Sequence, residues 1–77
     1  MSPKLPVLSP KDVIRVLLKA GFYVHHQTGS HVQLKHSTRA ELRLTVPFHN
    51  RDLPKAVLRS IIRQAGLSVD EFIDLLR

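Results

Sequence analysis

The sequence predicts an α+β domain in the order helix, three antiparallel strands, helix, short helix. Three observations carry that prediction. Apolar residues recur at helical spacing in two segments, around 10–20 and 54–66. Between them, apolar and polar residues alternate with a period of two. Serine, proline and glycine mark the boundaries where the period changes.

Met1 to Leu8, with Pro3 and Pro6, reads as an irregular N-terminal arm (1–8) ahead of one domain (9–77). Ser9-Pro10-Lys11-Asp12 is a helix start: the serine caps, the proline suits the first position, and the carboxylate meets the positive helix end. Val13, Ile14, Leu17 and Leu18 form the predicted apolar stripe, and Gly21 ends the helix. Phe22 and Val24 then alternate with Tyr23 and His25, and Thr28-Gly29 turns the chain into a second strand from Ser30 to Lys35. In that strand Val32 and Leu34 share one face, and His31, Gln33 and Lys35 share the other. A third strand follows in which Leu42, Leu44 and Val46 alternate with Glu41, Arg43 and Thr45. The aliphatic face needs a cover, and the second helix supplies it through Val57, Leu58, Ile61, Ile62 and Ala65, with Asp52 as the expected cap and Pro54 in the first turn. Ser68-Val69-Asp70-Glu71 is a capping box that opens the short third helix.

At 77 residues the chain builds one small core, burying only about 60% of the unfolded surface. Chemistry in such a domain belongs on an open face or shallow cleft, which suits a polymer better than an enclosed small molecule. There is no cysteine, so neither disulfides nor thiolate metal sites are expected. Charge or polar residues interrupt every apolar run, so neither a signal region nor a membrane span is expected, and a cytoplasmic location is. The formal net charge is +6, from twelve Lys and Arg against six Asp and Glu. It is uneven: the chain through Gly66 carries +8 and the last eleven residues −2. A basic body of this kind attracts polyanions, nucleic acid first among them.

Five histidines invite a metal reading. His25 and His26, being adjacent, are expected on opposite faces of a strand, and no helical His pair of the HExxH kind exists, so no metal or cofactor is expected. Gly29-Ser30-His31 stands apart. There the glycine is expected to permit a tight turn that delivers His31 to the outer face beside Gln33, Lys35 and Arg43. RNA brings its own nucleophile in the 2′-hydroxyl, so one general base among cations is enough for a ribonuclease. His31 is the candidate catalytic base. Pro47-Phe48-His49 places His49 just past the third strand as a possible auxiliary group, along with Ser30 and Gly29. Two cationic rows, Lys11, Arg15 and Lys19 on the first helix and Lys55, Arg59 and Arg63 on the second, recur at i, i+4, i+8 and are candidates to track phosphates.

Taken together, Ala20-Gly21-Phe22, Gly29-Ser30-His31, Val46-Pro47-Phe48-His49 and the run from Leu58 to Ser68 resemble the HicA (YcfA-like) toxin family, over about Ser9 to Ser68. The resemblance implies a fold like the double-stranded RNA-binding domain and mRNA interferase activity within a type II toxin–antitoxin system. It also implies neutralisation by a HicB-type antitoxin. The family's catalytic histidine falls on His31, within a Gly-Ser-His motif that Gly29 and Ser30 complete. His49 matches the histidine of its Pro-x-His segment. Members commonly carry Gly-Thr at the start of the last main helix, where this chain has Ala56-Val57. The competing expectation is a noncatalytic RNA-binding module that uses the same sheet face and basic rows.

Overall fold

The computed structural model describes residues 5–77; Met1–Lys4, the start of the expected arm, lie outside the described residues. Its elements are α1 (Pro10–Lys19), β1 (Phe22–Thr28), β2 (His31–His36), β3 (Arg43–Pro47), α2 (Lys55–Gln64) and α3 (Val69–Leu75). The strands form one antiparallel sheet in the order β1-β2-β3, the predicted α+β arrangement. Val32, Leu34, Leu44 and Val46 are buried on one face, against α1 and α2, and α3 packs on both helices.

Ser9 caps α1 reciprocally: its hydroxyl accepts the Asp12 amide at 3.3 Å, and its own amide donates to the Asp12 carboxylate at 3.3 Å. These bonds, the one from the Ser9 backbone first, hold the Asp12 carboxyl below its usual range. Ser68 and Glu71 repeat the device on α3, and the Glu71 carboxyl is lowered in the same way.

The structure corrects several expectations. The buried arc of α1 is Pro10, Val13, Val16 and Leu17, whereas Leu18 is 49% exposed. Leu18 lies about 100° around the helix from Leu17, beyond the arc centred on Val13 and Leu17. Residues 5–9 form no helix or strand, yet Leu5 and Leu8 are core residues, and the Leu8 carbonyl accepts the Leu53 amide at 2.8 Å. That tie explains a second correction. Asp52 does not cap α2, because Leu53 is buried and bonded to Leu8, and Pro54 is the N-cap, with φ −58° and ψ 147°. A proline also disfavours helical backbone in the residue before it. No side chain caps α2.

Strand β1 holds the third correction. Its pairing with β2 shifts between Val24, opposite Leu34, and His26, opposite Gln33, leaving His25 as an extra residue in a β-bulge. Directly opposed residues of an antiparallel pair share a face. His26 therefore joins Gln33 on the outer face, and His25 borders the same surface. The expectation that His25 and His26 face opposite sides fails because the bulge breaks the alternation.

Candidate functional site

The outer face of the sheet is a ladder of cross-strand pairs: His31 opposite Pro47, Gln33 opposite Thr45, and Lys35 opposite Arg43. From β1, Thr28, His26 and Tyr23 lie across from His31, Gln33 and Lys35. None of the three strands contains Asp or Glu. With nothing anionic in the strands, the field over this face is set by cations and neutral donors.

His31 opens β2 and is exposed. Its Nδ1 lies 3.0 Å from the Ser30 hydroxyl. If Nδ1 carries the proton and donates to that oxygen, Nε2 keeps its lone pair. The Ser30 carbonyl accepts the Phe48 amide at 2.9 Å, tying the hairpin turn to the chain just past β3. His31 is thus fixed at the sheet's end by its own strand, by its neighbour and by the β3 exit. Gly29 departs from expectation: its φ is not positive, and a Cβ there would meet nothing within 4 Å. The turn does not need glycine, and the position faces open space.

Gln33, Lys35, Arg43 and Thr45 come together in an open depression of about 610 Å³, joined by His25 from the bulge and Gln64 from the end of α2. His31 does not line it. His25 and Gln64 were missed by sequence reasoning: one depends on an irregular strand, the other on how α2 meets the β3 edge. His49 lines a smaller depression with Ser9, Pro10, Lys11, Phe48 and Asn50. Its Nδ1 accepts the Arg51 amide at 3.2 Å, so the neutral ring carries its proton on Nε2.

The helix rows are placed unequally. Lys55, Arg59 and Arg63 are exposed, and none takes part in an ion pair among the described residues. On α1, Arg15 sits 3.5 Å from Asp12, and Lys19 donates to the carbonyls of Leu75 at 3.1 Å and Arg77 at 2.8 Å. Lys19 is thereby drawn to the C-terminal end of α3, where a cation also meets the negative helix end. Lys11 and Arg15 border an apolar groove with Ile14, Leu18 and Val24.

His36, at the other end of β2, is half-buried. Its Nδ1 accepts the amides of Thr38 and Arg39, each at 3.2 Å, so Nε2 carries the proton and donates to the Ala20 carbonyl at 3.0 Å. The ring meets Phe22 edge-on, with centroids 5.0 Å apart. Among the described residues, no group of three or more His, Cys, Asp or Glu is placed to hold a metal ion. Among the described residues no helix is long and apolar enough to cross a membrane.

Fold and surface together define a small basic α+β domain that presents an acid-free sheet face with a fixed, accessible histidine at its end. The sequence model described as the HicA toxin of bacterial toxin–antitoxin systems matches residues 10–67, three quarters of the chain. The chain belongs to the HicA toxin family. A comparison with curated proteins finds no match.

Proposed function

We propose that this toxin is an endoribonuclease that cuts mRNA with His31 as its general base and no metal ion. The observation that carries the reading is the His31 geometry: an exposed ring whose Nδ1 is paired with Ser30 at 3.0 Å, at the end of strands free of carboxylates. Ser30 is a positioning residue that fixes the ring and, by accepting the Nδ1 proton, is compatible with the ring form whose Nε2 is unprotonated. Nε2 takes the proton of the 2′-hydroxyl, the 2′-oxygen attacks the adjacent phosphorus, and the bond to the 5′-oxygen breaks. The leaving oxygen takes a proton from solvent. The products are a 2′,3′-cyclic phosphate and a 5′-hydroxyl end, and DNA is spared because it lacks the nucleophile.

Lys35, Arg43 and Gln33 hold the flanking backbone, and the free row Lys55, Arg59 and Arg63 adds long-range attraction. With its Nδ1 engaged by the Arg51 amide, His49 offers an Nε2–H suited to a phosphate oxygen. That suits it to the scissile phosphate itself, not to a flanking one and not to acid catalysis. By family, the antitoxin partner is a HicB-type protein, and the basic body calls for an acidic covering surface whose association slows as salt rises.

The test is cleavage of end-labelled RNA in chelator, with identification of the new termini. Cyclic phosphate ends made by the wild type and lost in His31→Ala support the reading. RNA bound but uncut by the wild type would leave a binding module in its place.

A further inference from the structure

We propose that the RNA strand lies across this face on one side of the scissile bond only, with its next two phosphates seated on the rungs Gln33–Thr45 and Lys35–Arg43 and with His25 as the wall of the first seat. The inference rests on the ribonuclease reading above and adds the register of the substrate to it.

Three observations lead there. Successive outer-face residues of β2 are two apart, and two residues advance about 7 Å along a strand. That step is of the order of the spacing between neighbouring phosphates of an extended nucleic-acid strand. The rungs His31–Pro47, Gln33–Thr45 and Lys35–Arg43 therefore repeat in step with a backbone running along β2. The depression begins where His31 ends: it contains the second and third rungs and excludes the first. In the other direction β2 stops, the turn residues Gly29 and Ser30 carry no charge, and His49 and Lys11 past the β3 exit line a separate, smaller depression that does not continue the ladder of rungs.

The bulge supplies the third observation. A regular β1 would send His25 and His26 to opposite faces, yet His26 is paired with Gln33 and His25 lines the depression. Bulges re-aim side chains in this way. The first seat then has the His25 imidazole on its β1 side and Gln33 and Thr45 as its floor, while the second has the two full cations Lys35 and Arg43. No carboxylate lines either seat.

The experiment uses a strand with a single ribonucleotide in a deoxynucleotide background, so that one bond alone can be cut. Neighbouring linkages are replaced one at a time by neutral methylphosphonates. The expected profile is one-sided: a neutral linkage one or two steps away on one side lowers kcat/KM by about tenfold, the scale of one charge-assisted hydrogen bond, and replacements on the other side change little. Lys35→Ala with Arg43→Ala removes the sensitivity at the second step, and His25→Ala reduces it at the first to under about threefold, with folding checked by circular dichroism.

A flat or symmetric profile overturns the register and leaves the cations of this face to a protein partner. So does a chimera left intact while the all-RNA strand is cut, since the proposed contacts are all to phosphates. If the all-RNA strand itself is not cut, the ribonuclease reading has failed and the register falls with it.

Discussion

Strand β2 begins and ends on a histidine, and the two are held in opposite ways. His36 uses both ring nitrogens: Nδ1 takes two backbone amides, Nε2 reaches the Ala20 carbonyl, and the ring edge meets Phe22. His31 uses one, against Ser30, and shows the rest of its ring to solvent. The same residue type on the same strand thus serves as a structural clamp at one end and leaves a ring nitrogen open to solvent at the other. The count of occupied nitrogens, more than exposure alone, tells the two apart.

The sharpest way to break the comparison is to remove each ring. His31→Ala is expected to lower cleavage by about 10²–10⁴-fold, the usual cost of a lost general base, while leaving thermal and denaturant midpoints nearly unchanged. A variant that cleaves normally would make His31 an ordinary surface residue.

At the other end the effect should appear in stability. His36→Ala loses the Ala20 bond, leaves two amides without their acceptor and removes the Phe22 contact, for an expected cost of about 2 kcal/mol in urea unfolding. Gly21→Ala strikes the same clamp from the other side. Its φ is +100°, and a Cβ would come within 2.7 Å of His36 Nε2, so a loss of about 2 kcal/mol or more is expected. If both variants unfold like the wild type, the clamp holds nothing.

A smaller effect concerns the caps that frame both ends. Ser9→Ala and Ser68→Ala should each cost about 1 kcal/mol. The Asp12 and Glu71 carboxyls are lowered in the folded chain. Folding therefore releases their protons more readily, and their contribution is present above the ordinary carboxylate range and lost as pH falls through it towards the lowered values. Unfolding midpoints measured from neutral to acid pH should fall, and the fall should shrink in the Ser9→Ala, Ser68→Ala double variant.

The smallest stability effect separates the two glycines. Gly29→Ala should change stability by under about 0.5 kcal/mol, since its backbone is not left-handed and the added methyl meets open space. Any loss of cleavage in that stable variant would assign the open space to the approaching strand.

What was legible in the sequence was local. Ser9-Pro10 with Asp12 announced α1, Ser68 with Glu71 announced α3, and Val32 and Leu34 against Gln33 and Lys35 announced both faces of β2. The misreadings came from long-range demands. Asp52 looked like a cap, but the core claims Leu53 and the chain before α1 holds its amide. Lys19 looked like part of a cationic row, but a helix end more than fifty residues away takes its ammonium. The bulge had no signature at all, because His25, His26 and Gln27 are all polar and no apolar residue marks which of them should face the core. His31 could be picked out from its tripeptide, whereas its separation from the Lys35–Arg43 depression appears only with the register.

The bulge also bears on how copies of this protein meet one another. β1 borders the sheet, so among the described residues its outer backbone groups have no strand beside them, and an uninterrupted edge of that sort is a template on which other chains add and aggregate. The extra residue at His25 disturbs the even spacing that an incoming strand would have to match, and the local twist it introduces turns the edge away from a flat approach. One inserted residue therefore acts in two directions, shaping the outer face while making the border of the sheet a poor place for a neighbour to begin a fibril.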